Sequence, residues 1–213
     1  MDRVVTRVTD DLPDYFDQFR PPPDPPRRSA VLMLFGPHPG GGEDVILTER
    51  AHGLRSHAAQ VSFPGGGLET VDAGPIDAAL REAEEEVGVD PESVEIVAEL
   101  PALFLSPSGH AVTPVLGWWP EPGPIGVIDE VEVAQVARVP LAELLDPAHR
   151  FTVVGPLGYR GPAFEASGLF VWGFTAMLLS VLLDLADLTR EWDDRLERDL
   201  PEHIVAAWLR GRT

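Results

Sequence analysis

A glycine-rich turn followed by an acidic helix constrains this chain more than any other stretch of its sequence. The turn is PGGG at 64–67, and the segment 77–87 has the pattern of a helix that ends at Gly88. Ala79 and Ala83 lie one turn apart, on a face that can pack on a sheet. Because the turn is nearly bare of side chains, its backbone can approach a ligand closely. The sequence therefore predicts a bare turn beside a helix that carries carboxylates.

The acidic face of this helix is the first candidate for chemistry. Glu82, Glu85 and Glu86 are related as i, i+3 and i+4, so a helix places them on one face. Like charges at this spacing repel, and the C-terminal end of a helix disfavours anions. A divalent cation would convert that repulsion into ligation, and oxygen ligands favour Mg²⁺ or Mn²⁺. For the acidic run taken alone, the alternative is a solvated helix face.

Composition excludes several classes of function. The chain of 213 residues carries 16 Lys and Arg against 35 Asp and Glu, a formal net charge of −19. This charge repels nucleic acid and anionic membranes. The absence of cysteine excludes a disulfide scaffold, a zinc–thiolate site and a cysteine nucleophile. An anionic substrate needs metal ions or a local arginine cluster to receive it.

At these positions the sequence resembles the Nudix hydrolases. Their motif is Gly, five residues, Glu, seven residues, then Arg-Glu-aliphatic-x-Glu-Glu-x-Gly-aliphatic. Here Gly66 is followed after five residues by Asp72 instead of Glu, and eight residues separate Asp72 from the arginine. Ala83 takes the first aliphatic position. The remaining positions match, namely Arg81, Glu82, Glu85, Glu86, Gly88 and Val89.

Both departures are similar to one Nudix subfamily, the coenzyme A pyrophosphatases. These enzymes carry Asp with one extra residue, and an upstream element Leu-Leu-Thr-x-Arg-Ser/Ala, three residues, Arg, three residues, Gly, three residues, Phe-Pro-Gly-Gly. This chain has ILTERA at 46–51, Arg55, Ala59 in place of Gly, and FPGG at 63–66. The resemblance covers about residues 29–185.

The resemblance implies an α/β fold, a Nudix-type α/β/α sandwich with a mixed, mainly antiparallel central sheet between helices. It also implies metal-dependent hydrolysis of the pyrophosphate bond of coenzyme A or its derivatives, giving 4′-phosphopantetheine and adenosine 3′,5′-bisphosphate. One alternative is a Nudix hydrolase of another nucleoside diphosphate derivative, such as ADP-ribose or a dinucleoside polyphosphate. The other is a non-catalytic Nudix-fold binding module. In each case the expected partner is a small molecule, with neither nucleic acid nor membrane.

The resemblance also assigns residues to the metal and the catalytic step. Glu82, Glu85 and Glu86 are the expected ligands of Mg²⁺ or Mn²⁺. The expected catalytic residues are Glu82, Glu85 and Arg81, with Arg81 orienting a glutamate. The general base is left open between Glu85 and the carboxylates of a later loop, for which a solvated loop is the alternative. The loop carboxylates are Asp129, Glu130 and Glu132.

A small basic cluster precedes the glycine turn in this acidic chain. It consists of Arg50, Arg55 and His57, and arginine presents a rigid fork of donors that suits phosphate. We expect these three side chains to bind substrate, together with the backbone of Gly65 and Gly66.

The rest of the chain is predicted to be organised around one domain. Residues 1–28 are a proline-rich N-terminal arm with a short amphipathic helix, 29–189 the Nudix hydrolase domain, and 190–213 a C-terminal amphipathic helix. The apolar run at 168–183 is too short to span a membrane, so a buried helix is expected over 169–188. The charged N-terminal segment predicts no secretory signal. A cytoplasmic location is expected, and a homodimer is one assembly open to the chain.

Overall fold

The fold is built on a mixed sheet. The computed structural model describes residues 14–54, 58–105 and 109–210. In the central sheet of these ranges, β1 and β7 pair in parallel and the other neighbours pair antiparallel. The strands are β1 (Arg27–Pro37), β2 (Glu43–Arg50), β3 (Val61–Ser62), β4 (Gly65–Gly67), β5 (Glu95–Glu99), β6 (Leu103–Leu105), β7 (His110–Trp118) and β8 (Val133–Pro140). The predicted mixed, mainly antiparallel sheet is confirmed.

The two longest helices cover opposite faces of this sheet. The α-helices are α1 (Asp14–Gln18), α2 (Pro75–Val87), α3 (Leu141–Leu144), α4 (Gly173–Leu185) and α5 (Glu202–Arg210). Along β1, Leu32 and Leu34 pack with the alanine face of α2, while Met33 and Phe35 belong to the cluster that contains Leu179 of α4. Fully burying such a side chain is worth roughly 1.5–3 kcal/mol. One strand therefore joins both helices into a common core.

Proline and glycine set the limits of α2. Pro75 occupies the first turn, where its fixed φ suits a helix and its missing N–H is not needed. Gly88 adopts a left-handed φ of 77°, and its N–H caps the carbonyls of the last turn. Pro75 and Gly88 thus fix the two ends of the helix that carries the acidic face.

A second sheet was not predicted. Its strands are β9 (Arg150–Val154), β10 (Arg160–Ala166), β11 (Leu169–Val171) and β12 (Glu197–Asp199), in the order β11-β10-β9-β12. The helix expected over 169–188 is wrong at both ends, because 169–171 form β11 and α4 ends at Leu185. Ser167 and Gly168 both have positive φ, 50° and 77°. Two such residues form the tight turn that pairs β10 with β11.

The C-terminal segment is joined to this second sheet. A single helix over 190–213 is wrong over its first half, because β12 pairs in parallel with β9 and α5 begins only at Glu202. At the other end, β1 begins at Arg27, and Phe16 of α1 is buried. Residues 1–13 and 211–213 lie outside the described ranges. None of the helices within those ranges has the length and hydropathy that crossing a membrane requires.

Candidate active site

The glycine turn lies against the acidic face of α2. β4 pairs with the start of β1, and the N–H of Gly65 donates to Oε2 of Glu86 at 3.1 Å. A Cβ at Gly66 would lie 2.4 Å from the carboxylate of Glu82, and one at Gly65 would lie 2.3 Å from the carbonyl oxygen of Ala30. Real Cβ atoms do not tolerate such distances. The backbone contact requires glycine at 65, and a side chain at 66 would displace the carboxylate of Glu82.

Glu86 is a buried carboxylate whose negative charge is only partly offset by its neighbours. Its side chain is 6% exposed. Burial raises its pKa to about 7, although the hydrogen bond from Gly65 and the charge of Arg50 oppose the rise. The neighbouring charges of Glu82 and Glu132 add to it. The site thus holds a carboxyl group that gains from any added cation.

Glu82 is the second inward-facing glutamate. Burial raises its pKa, opposed by Arg81 and reinforced by Glu85 and Glu132. By contrast, the Glu85 side chain is 59% exposed and lies 3.2 Å from Nη1 of Arg81. The helix therefore presents two enclosed carboxylates and one at the solvent edge.

Arg81 is saturated with acceptors. Its Nε and Nη2 donate to the two carboxylate oxygens of Asp72 at 3.0 and 3.2 Å, and Nη2 also donates to the carbonyl of Gly67 at 3.1 Å. Nη1 donates to Glu82 at 3.1 Å and to Glu85 at 3.2 Å. The Asp72 side chain is 3% exposed, and its hydrogen bond with Arg81 lowers its pKa. Arg81 thus ties the glycine turn and the loop after it to α2.

Arg50 approaches the same glutamates from β2. Its Nη1 lies 3.9 Å from Oε1 of Glu86, and its Nη2 lies 3.7 Å from Oε2 of Glu132. Both distances exceed a hydrogen bond. Its Nε is buried and has no hydrogen-bond partner within the described ranges. Arg50 therefore retains donor capacity beside the acidic pair.

Of the loop carboxylates considered from the sequence, Glu132 reaches the site. Its neighbour in the chain, Val133, pairs with Arg50 in the β2–β8 register. Asp129 instead accepts the N–H groups of Val131 and Glu132 at 2.8 and 3.3 Å, which shapes the loop. Within the described ranges, Glu130 makes no hydrogen bond or ion pair with α2. The position of Glu132 depends on strand register, so the sequence gives no direct signal for it.

Comparison with known proteins places the chain in a family. A model of the NUDIX domain matches residues 25–154. The chain belongs to the Nudix family. It is 41% identical over 165 residues to the uncharacterized Nudix hydrolase NudL of Cronobacter sakazakii, covering 73% of this chain and 81% of that protein. The NudL protein of Escherichia coli is 38% identical over 161 residues, with coverage of 73% and 81%.

A solved structure also resembles this chain. The Nudix hydrolase RenU of M. smegmatis is 25% identical, with a TM-score of 0.44, and the match covers 55% of this chain and 73% of that one. The predicted Nudix membership is thus confirmed by the family match, and the coenzyme A pyrophosphatase assignment stays a prediction.

The Nudix motif of this chain fits a hard divalent cation in its chemistry. The donors are carboxylate oxygens, and the two enclosed ones, Glu82 and Glu86, repel each other. Within the described ranges no three Asp, Glu or His side chains are gathered as a ready metal site. The glutamates point instead to Arg81, Gly65 and Arg50. A cation would compete with these partners for the same oxygens.

The rest of the predicted substrate cluster lies at the edge of the described structure. Arg55 and His57 fall outside the described residues. The loop that carries them is closed by Arg50, whose N–H donates to Gln60 and whose carbonyl accepts from Ala59. Ala59, where the subfamily pattern has Gly, adopts a φ of 57°. The pattern's glycine is thus explained by a left-handed backbone position.

Proposed function

We propose that this Nudix protein hydrolyses the pyrophosphate bond of coenzyme A or a derivative, giving 4′-phosphopantetheine and adenosine 3′,5′-bisphosphate. The observation that carries the proposal is the approach of Arg50 to Glu86, at 3.9 Å. Arg50 belongs to the ILTER segment that resembles the coenzyme A pyrophosphatases, and Glu86 belongs to the Nudix motif. The two motifs therefore converge on one place.

The metal in this proposal is Mg²⁺ or Mn²⁺, held by Glu82 and Glu86 with Glu85 at the solvent edge. When bound, the ion supplies Lewis acidity and neutralises the charge of the pyrophosphate. Enclosure of Glu82 and Glu86 keeps water from competing for their oxygens. Arg81 acts as a positioning residue, because its donors are already used on Asp72, Gly67 and the glutamates.

The phosphate groups bind through donors that are still available. Among the described residues, Nε of Arg50 has no hydrogen-bond partner, and its two terminal nitrogens lie 3.9 and 3.7 Å from the carboxylates of Glu86 and Glu132. Arg55 and His57 complete this cluster in the proposal, since an arginine pair suits the additional 3′-phosphate of coenzyme A. Bare backbone at Gly65 and Gly66 lets the substrate approach the glutamates.

Glu132 is our candidate for the general base. Its side chain is 48% exposed and its contact with Arg50, at 3.7 Å, is longer than a hydrogen bond. Glu85, the other candidate, is engaged by Arg81. Glu132 is thus placed to accept a proton from the attacking water.

The test is product analysis by mass spectrometry. The purified full chain is incubated with coenzyme A, dephospho-coenzyme A and ADP-ribose, each with Mg²⁺ or Mn²⁺. We expect 4′-phosphopantetheine from coenzyme A, weaker turnover of dephospho-coenzyme A, and loss of turnover in Glu86→Gln. Glu84→Gln is the matched control, because Glu84 is an exposed glutamate of the same helix.

The other outcomes separate the alternatives. Cleavage of ADP-ribose alone would retain the metal site and overturn the substrate. Metal binding without cleavage of any substrate would favour the non-catalytic binding module.

A further inference from the structure

A surface pocket lies in the second sheet, on residues that the active site does not use. It is formed by β9, β10, α4 and the segment that precedes β12, and its volume is about 370 Å³. That volume is at the lower end of pockets that bind small molecules, roughly 300–1,000 Å³. The pocket is therefore suited to a ligand of modest size.

A buried arginine lines the pocket. Arg150 is only 7% exposed, and its guanidinium carbon lies 4.5 Å from the ring centroid of Trp192 and 5.3 Å from that of Phe164. The rings stabilise the charge but offer no oxygen acceptor to the N–H groups. Its Nε is buried and has no hydrogen-bond partner in the part of the chain that the structure describes. A buried N–H without an acceptor is costly, so this group favours a ligand that provides one.

Three other lining side chains already have hydrogen-bond partners, namely Thr152, Ser180 and Arg160. The hydroxyl of Thr152 donates to the carbonyl of Asp194 at 2.8 Å, and that of Ser180 donates to the carbonyl of Ala176 at 2.8 Å. Arg160 donates to Glu197 through Nε and Nη2, at 3.1 and 2.9 Å. Arg150 is thus a lining side chain with a buried donor that lacks an acceptor among the described residues.

The surrounding charges limit the charge of that ligand. Asp184 acts electrostatically on Arg150, Asp194 lines the pocket, and Glu197 pairs with Arg160. Three carboxylates therefore surround two arginines. A doubly charged phosphate would be repelled more strongly than a singly charged carboxylate.

We propose that this pocket binds a small monocarboxylate with an aromatic or apolar body. The carboxylate accepts from the N–H edge of Arg150, and the body lies against Trp192 and the ring of Pro162, which also lines the pocket. An arginine edge and a carboxylate match in geometry, and the pair is charge-assisted. This site is independent of the Nudix chemistry.

The probe is benzoate, added to the ¹⁵N-labelled full chain while the arginine Nε–H signals are followed by NMR. We expect a saturable shift of the Arg150 signal with benzoate and none with benzyl alcohol, which has the same body without the charge. Methyl phosphate, which can carry two negative charges, tests whether the pocket prefers a dianion to a monocarboxylate. No saturable shift, or tighter binding of methyl phosphate, would overturn the proposal, and both outcomes are read on the unmodified protein.

Variants assign the effect to Arg150. By calorimetry, Arg150→Lys should bind benzoate about tenfold more weakly or worse, because the fork geometry is lost. Arg198→Lys is the matched control: Arg198 also lies over a ring, 4.2 Å from Phe151, and pairs with Glu165, but it does not line the pocket. Equal losses in both variants would contradict a site on Arg150.

Discussion

Two arginines contact the acidic face of α2, Arg81 from the helix itself and Arg50 from β2, and their surroundings differ. On one side, Arg81 has carboxylate or carbonyl oxygens on its donors at 3.0–3.2 Å. On the other, Arg50 has no acceptor for Nε among the described residues and lies 3.7 and 3.9 Å from its carboxylates. A saturated arginine holds structure, whereas an unsaturated one retains donors for a ligand. We therefore expect Arg81 to contribute mainly to stability and Arg50 to bind the proposed substrate.

The strongest test removes the saturated arginine. Arg81→Gln leaves Asp72 charged, with a side chain only 3% exposed, and frees the loop after the glycine turn. Removing one partner leaves the other charge without its hydrogen bonds. We expect the free energy of unfolding to fall, and to fall further than in Arg50→Gln, measured by urea unfolding of the metal-free protein. If Arg81→Gln is as stable as the parent, Arg81 does not hold the glycine turn and the loop after it to α2.

A second test uses the pH dependence of the free energy of unfolding, to which Glu86 beside Arg50 contributes. Burial raises the pKa of Glu86 from 4.5 to about 7, so the folded chain keeps this proton where the unfolded chain loses it. Stability of the metal-free protein should therefore fall as pH rises from 4.5 to about 7, by about 3 kcal/mol in all. In the proposed site Mg²⁺ would displace the same proton, so its affinity should rise with pH over this window.

Denaturant unfolding at several pH values measures this effect, and Glu86→Gln is the control because it has no group to titrate. If the free energy of unfolding of Glu86→Gln still falls as pH rises, other carboxylates cause the pH dependence. Glu82, whose pKa burial also raises, is the first of these.

Replacing Arg50, the unsaturated arginine, should reduce turnover and leave stability nearly unchanged. Arg50→Gln removes two long contacts, so we expect the free energy of unfolding to change by less than about 1 kcal/mol. Its donors are charge-assisted toward a phosphate, so kcat/KM for coenzyme A should fall by about 10–100-fold. Circular dichroism melting and steady-state kinetics on one preparation separate the two effects. A large loss of stability with unchanged kinetics would reverse the roles of the two arginines.

The surroundings of Arg81 and Arg50 differ in how far apart their residues lie in the sequence. The Arg81 side is local: Gly66, Asp72, Arg81 and the glutamates lie within one strand–turn–helix unit, so their spacing predicts the set. The Arg50 side is assembled by pairing β2 with β8, which brings Glu132 across from a distant part of the chain. Spacing carries no information on that register, so the sequence left Glu132 as one of several loop carboxylates.

The second sheet was missed for a related reason. Its apolar run from 169 has no helix-breaking proline, and sequence periodicity does not separate a buried strand from a buried helix. The deciding features are the Ser167-Gly168 turn and the pairing of β12 with β9, which are tertiary. The central sheet, by contrast, has strands separated by clear turns, and its mixed character was predicted correctly.

The smallest expected effect concerns Ala59, which closes the Arg50 loop. Ala59→Gly relieves a left-handed alanine, worth about 1 kcal/mol, and loses a buried methyl of about 0.8 kcal/mol. The two terms nearly cancel, so we expect both the unfolding free energy and kcat/KM to stay close to those of the parent. Ala59→Val adds a branched side chain at a φ of 57° and should lose at least about 1 kcal/mol. If Ala59→Gly instead weakens coenzyme A turnover, the loop needs the stiffness of alanine to hold Arg50, and Arg50 would then be positioned as strictly as Arg81.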